Sequence, residues 1–172
     1  MKELVDPFSR NLEEVLKKKG MHVTRQRTAH TFIELEVKLR EAVTIIQLAQ
    51  DAAFRFSPPK EFPEFPGVKV DNLTDIASNK LLALYGRASL RDFIDVYVLV
   101  KKSGIEQKTL MQQAKKKDPG FDPYWLGIAF ERISTCPPNA PEMLMLIEPI
   151  PLNSLQSFFN QWRKEIASQL KT

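Results

Sequence analysis

Apolar and polar positions change their period twice along the chain, and each change marks a different kind of element. Between Asp6 and Gly20, Leu12, Val15 and Leu16 recur at helical spacing behind an Asp-Pro start. Three lysines and a glycine close the run, so a capped amphipathic helix is expected. The pattern then alternates: Ile33, Leu35, Val37 and Leu39 are separated by Glu34, Glu36 and Lys38, which puts one row inward and one outward on a half-buried strand. Residues 21 to 27 and 43 to 49 are also rich in strand formers, and Arg40-Glu41 is a short polar connection. Three neighbouring antiparallel strands follow.

Four prolines between Pro58 and Pro66 end this pattern and predict an ordered loop, because proline lacks the N–H that a central strand or helix needs. Beyond it the period is helical. Asn72 with Asp75 can cap a helix running to about Tyr85, and Ser89 with Asp92 repeats the device for a second helix ended by Ser103-Gly104. A third helix is expected near 105 to 116, and Asp122-Pro123 opens a fourth carrying Tyr124, Trp125, Ile128 and Ile133. Prolines 137, 138 and 141 break it. A last helix behind Asn153 or Ser154 carries the core stripe Leu155, Phe158, Phe159, Trp162 and Ile166. The class is α+β: residues 1–66 as a β-rich part, and 67–172 as a helical region packed on it in one compact unit.

Composition narrows the setting. A chain of 172 residues with 43% hydrophobic and 27% charged residues is ordinary for a globular domain, not for a disordered or membrane protein. Its net charge of +4 permits an anionic partner without requiring one. The runs Lys17 to Lys19 and Lys115 to Lys117 fall at expected helix ends, where solvated lysines suit the helix dipole. The single cysteine, Cys136, excludes an internal disulfide and fits a reducing compartment, so a cytoplasmic location is expected. No apolar stretch approaches the ~20 residues that a membrane-spanning helix needs.

Two helices carry unusual charge. Lys80 shares the face of Ile76, Ala77 and Leu84, where an ammonium must either extend to solvent or meet a carboxylate or phosphate. In the second helix Arg91, Asp92 and Asp95 interrupt an otherwise apolar sequence. Arg91 and Asp95 are spaced to pair along the helix, and Asp92 and Asp95 can face a common point. Two readings are open. The four residues are a structural network made of a cap and an intrahelical bridge, or they form a site.

Read together, Asp75-Ile76 followed by Lys80, a short arginine-containing linker, and Arg91-Asp92 followed by Asp95, Tyr97 and Leu99 resemble the paired signature of the AbiEii/AbiGii toxin-type nucleotidyltransferases. The resemblance extends upstream through Asp51-Ala52-Ala53-Phe54-Arg55-Phe56-Ser57-Pro58-Pro59 and Gly67-Val68-Lys69-Val70, covering about residues 43 to 102. It implies a polymerase-beta-like core followed by a helical bundle, acting as the toxin of a toxin-antitoxin or abortive-infection system. It also implies transfer of a nucleoside monophosphate from an NTP to an acceptor hydroxyl, with Mg2+ held by acidic residues. Lys80 would then approach the nucleotide, Asp92 or Asp95 would orient the acceptor or act as base, and Arg91 would bind the nucleotide and hold the geometry. An antitoxin-like protein and RNA are the partners this suggests.

The chain also departs from that pattern. The family's Gly-Gly element and Asp-x-Asp strand are expected ahead of the first helix, and the sequence there is Met1-Lys2-Glu3-Leu4-Val5-Asp6-Pro7. Gln47 occupies the position expected for a third acidic ligand, and an amide lacks the charge that magnesium selects. Asp51 would lie about 13 Å further along an extended strand, at ~3.3 Å per residue. The expectation is therefore a truncated or degenerate nucleotidyltransferase homologue, the remnant of a larger sheet, inactive as this chain and open to self-association through an exposed sheet edge. The alternative is a non-catalytic interaction protein that binds an antitoxin-like partner or RNA.

Overall fold

A computed structural model describes residues 5–50 and 54–170, in two compact units, Met1–Ala53 and Phe54–Thr172. In the first, helix α1 (Val5–Lys18) precedes strands β1 (His22–Ala29), β2 (Phe32–Leu39) and β3 (Ala42–Ala49). The strands form an antiparallel sheet in the order β1-β2-β3. The α1 helix stops at Gly20, whose φ of 80 lets the chain reverse. Gly20 N–H then donates to the Lys17 carbonyl and Met21 N–H to the Leu16 carbonyl, satisfying groups that the helix end would otherwise leave unpaired.

The alternation in β2 sets the register. Ile33, Leu35 and Val37 are buried with Val5 and Val23, while Leu12, Leu16, Met21, Ile46 and Leu48 pack around them. Arg25, opposite Leu35 in the ladder, lies on this same face and is fastened to α1. Its Nη1 donates to Asp6 Oδ1 at 2.8 Å, its Nη2 to Ser9 Oγ at 2.8 Å, and its Nε to Glu13. The ladder shifts register between Arg25 and Arg27, so a bulge follows directly on this anchor. Arg40, in the β2–β3 turn, takes a left-handed φ of 55.

The second unit begins with the proline segment, which holds more than the expected loop. Strands β4 (Lys60–Glu61) and β5 (Lys69–Val70) pair across it as a short antiparallel ribbon. The prolines stay outside the two paired stretches, so the missing N–H groups cost no ladder bond. Helices α2 (Leu73–Arg87), α3 (Leu90–Ser103), α4 (Gln107–Lys117), α5 (Pro123–Phe130), α6 (Pro141–Leu144) and α7 (Leu152–Gln169) follow. A 3-10 stretch, Glu131–Thr135, continues α5, and it is this stretch that carries Ile133. Helix α7 starts at Leu152 behind Pro151, ahead of the expected caps Asn153 and Ser154.

The core of this unit is aromatic. Phe93 of α3 meets Phe159 of α7 edge-on at 4.8 Å, and Phe130 lies 5.1 Å from Trp162. Leu81, Leu84, Leu110, Leu126, Leu155 and Ile166 close around them. Each such side chain contributes about 1.5–3 kcal/mol when taken out of water, so α7 is held by its stripe rather than by its caps. Among the described residues no helix is long and apolar enough to cross a membrane.

Candidate charged site on helices α2 and α3

Helices α2 and α3 are joined by a turn so short that Arg87 ends one and Leu90 begins the other. Ala88 makes the reversal with a left-handed φ of 47, and its N–H donates to the Leu84 carbonyl. Cations on α2 therefore lie beside carboxylates near the start of α3. Lys80 Nζ is 2.7 Å from Asp95 Oδ2, with the two side chains 37% and 31% exposed. The contact is ionic rather than a directed hydrogen bond, since Asp95 Oδ2 has no partner aligned to donate to it. Asp95 Oδ2 itself is shut off from solvent, and the remainder of the two side chains is half-exposed.

Asp92, three residues earlier on α3, is fully buried. Arg87 binds it with both arms of a fork, Nε to Oδ2 and Nη2 to Oδ1, each at 2.7 Å. Ser89 adds its hydroxyl at 2.6 Å and its N–H at 3.3 Å. Burial alone would push the Asp92 carboxyl up, but the hydrogen bonds from Arg87 and Ser89 outweigh it and hold the group below the ordinary carboxylate range.

Asp75 is buried as completely as Asp92. It accepts from the N–H of Phe56 at 3.0 Å, from the N–H of Ser57 and from the Asn72 amide, and Lys117 Nζ of α4 lies 2.6 Å from its Oδ1. Burial opposes ionisation here too. Lys117, the Phe56 N–H and Asn72 reverse that and bring the pKa down to about 2. Lys117 also donates to Asn79 Oδ1 at 2.8 Å and stands over the Phe56 ring.

Two expectations are corrected by these contacts. Arg91 and Asp95 do not pair: Arg91 is exposed, and the Asp95 carboxylate meets Lys80 of the neighbouring helix instead. Asp92 and Asp95 each touch a cation of their own, Arg87 and Lys80, and the charge of Arg87 is felt by both carboxylates. The basic run at the end of α4 is not solvated throughout, because Lys117 is 5% exposed and Lys115 donates to the Pro119 and Phe121 carbonyls. Arg87 and Lys117 are the residues that sequence reasoning passed over. Arg87 was visible only as the arginine of the linker, and Lys117 only as one lysine of three.

Gln47 lies exposed on β3 and donates from Nε2 to Glu34 Oε2 at 2.6 Å, its neighbour across the ladder. Asp51 lies outside the described residues.

A family model for the nucleotidyl transferase AbiEii toxin, of the type IV toxin-antitoxin system, matches residues 3–171. The chain belongs to the AbiEii nucleotidyl transferase toxin family. No curated protein and no solved structure matches it. For an AbiEii chain the donor set is the informative part of the geometry. Magnesium takes hard anionic oxygens. Asp75, Asp92 and Asp95 are each neutralised by a lysine or arginine, and among the described residues no three His, Cys, Asp or Glu side chains converge. These residues, arranged in this way, do not fit a magnesium ion.

Proposed function

We propose that this AbiEii chain contributes the nucleotide-facing cation and the acceptor-facing carboxylate of a nucleotidyl-transfer site. The observation that carries the reading is the half-exposed pair of Lys80 and Asp95, on the two helices that bear the family's signature. At rest the two groups neutralise each other. An arriving triphosphate offers Lys80 a partner of higher charge, which frees Asp95 to accept the proton of an acceptor hydroxyl. That oxygen then bonds to the α-phosphorus of the NTP, the bond to the β-phosphate oxygen breaks, and pyrophosphate leaves. Arg91, exposed one residue before Asp92, is a second cation for the phosphates, while Asp92 acts as an anchor for Arg87 and the α2–α3 turn.

The donor set supports a further part of the reading: the described residues do not complete the acidic metal site, and the chain by itself does not turn over. The family's type IV description implies an antitoxin, and RNA is a candidate acceptor.

The test is direct. The purified chain is mixed with Mg2+, labelled NTPs and bulk transfer RNA, and NTP binding is measured in parallel. Weak NTP binding, lost on Lys80→Ala, and no incorporation are expected. Incorporation abolished by Asp95→Ala would overturn the incompleteness, and NTP affinity unchanged in Lys80→Ala would overturn the site.

A further inference from the structure

Helix α5 is apolar on nearly every side, a pattern that belongs to a helix covered all round. It is not covered: Trp125 is 58% exposed and Ile128 41%. A groove of about 690 Å³ runs from Trp125 to the end of α2, and Arg87, Arg132, Ser134 and Thr135 also line it. Both arginines are held in place before any ligand arrives. Arg87 spends its Nε and Nη2 on the buried Asp92 and keeps Nη1. Arg132 is fixed through Nη1 to the Arg87 carbonyl at 3.1 Å, and among the described residues no carboxylate pairs with it. Glu131, the one carboxylate on the rim among the described residues, is taken by Arg163 at 2.6 Å.

The hydroxyls add a second requirement. Ser134 Oγ donates its proton to the Glu131 carbonyl at 2.7 Å, and Thr135 Oγ1 donates to the Arg132 carbonyl at 2.9 Å. Both side chains are exposed and keep only acceptor capacity for a ligand. A suitable ligand has a flat ring to lie on Trp125, negative charge for Arg87 and Arg132, and hydroxyl protons for Ser134 and Thr135. A protein segment meets all three only where an aromatic ring, a carboxylate and a hydroxyl fall at matching spacing, whereas every nucleotide of RNA carries the three together. Stacked bases, phosphates and ribose 2′-hydroxyls meet all three.

We infer that this groove binds single-stranded RNA, with a base stacked on Trp125, the backbone phosphates on Arg132 and the free edge of Arg87, and a ribose 2′-hydroxyl donating to Ser134 or Thr135. Arg87 connects the groove to the carboxylates of α3, so the bound strand passes beside the proposed transfer site. The binding itself stands on the groove; only the use of the strand as acceptor rests on the transfer reading.

Fluorescence anisotropy of a short, labelled, single-stranded oligoribonucleotide of mixed sequence, titrated with the full chain, tests this. Saturable binding that weakens with added salt is expected. Trp125→Ala and Arg132→Ala each weaken it by about tenfold, in line with the usual effect of removing a stacking platform, while Trp125→Phe retains most of it. The deoxyribose version of the same sequence binds more weakly. Circular dichroism checks that each variant is folded, as the exposure of both side chains predicts. Unchanged affinity in folded Trp125→Ala overturns the proposal, as do equal affinities for RNA and DNA. No RNA binding together with self-association through this face, lost on Trp125→Ala, overturns it in favour of a protein occupant. Lys80→Ala separates the two readings: it lowers NTP affinity and leaves oligoribonucleotide affinity unchanged, whereas Trp125→Ala does the reverse. If Lys80→Ala leaves NTP affinity intact while Trp125→Ala loses RNA, the transfer reading fails and the groove stands.

Discussion

Lys117 and Asp75 form an ion pair closed off from water, with Nζ 2.6 Å from Oδ1 and the side chains 5% and 0% exposed. It joins the last turn of α4 to the first turn of α2, and through the Phe56 and Ser57 N–H groups it also holds the chain entering this unit. A buried pair of this kind is most sensitive to the loss of one member, which strands the other charge. Lys117→Met is expected to destabilise the protein by about 3–5 kcal/mol. Urea denaturation followed by circular dichroism measures it. The double variant Lys117→Met with Asp75→Asn is expected to recover part of that loss.

Asp75 also sets an acid limit. Its pKa is about 2 in the folded chain and near the ordinary carboxylate value when unfolded, so the unfolded state takes up the proton first as pH falls. The stabilisation is complete above the unfolded value and is lost as pH drops through about 4 towards 2. Thermal melts across that window should show a decline that is flattened in Asp75→Asn. A decline of equal slope in Asp75→Asn would assign the acid sensitivity to other carboxylates.

Asp92 and Asp95, three residues apart, should respond differently to the same change. Asp92→Asn removes the charge from a buried, four-bonded carboxylate and is expected to cost roughly 1–3 kcal/mol. Asp95→Asn breaks a half-exposed pair and is expected to cost less than about 1 kcal/mol. Its effect should fall on nucleotide handling instead, because Lys80 is released. Chemical denaturation and NTP titration of the same two proteins separate the roles.

In the first unit, Arg25 ties β1 to α1 through Asp6, Ser9 and Glu13. Arg25→Met keeps the stem and removes the fork. A loss of about 1–3 kcal/mol is expected from the charged hydrogen bonds given up. Hydrogen exchange should locate it, with faster exchange in α1 than in the β2–β3 ladder.

These predictions depend on contacts of unequal legibility in the sequence. The strand β2 was written in the alternation of Ile33, Leu35 and Val37 with Glu34 and Glu36, because a sheet with one covered face leaves no other choice. The stripe of α7 was equally plain, and Leu155, Phe159, Trp162 and Ile166 are buried as the spacing requires. Phe158 lies at the edge of that stripe and is only partly covered. Lys80, Asp92 and Asp95 could be singled out because charge on an apolar helix is conspicuous. Their partners could not be read. Arg91 and Asp95 are neighbours along one helix, and local spacing favours that pair, yet Lys80 and Lys117 reach their carboxylates from other helices and Arg87 reaches Asp92 across the α2–α3 turn. Such choices are made by packing between helices, which no local period encodes. The ribbon of β4 and β5 escaped notice for a related reason: each strand has two residues, too few to display alternation.

The aromatic core has a practical corollary for all of these measurements. The two tryptophans stand in opposite surroundings, Trp162 at 1% exposure among Phe130, Phe158 and Phe159, and Trp125 at 58% on the outer face of α5. They divide the intrinsic emission into a shielded, blue-shifted component and a wet, red-shifted one. Iodide should quench the second and spare the first. In Trp125→Phe the remaining signal comes from inside the aromatic box, so a single optical channel follows the unpacking of α7 from α5 without any attached label.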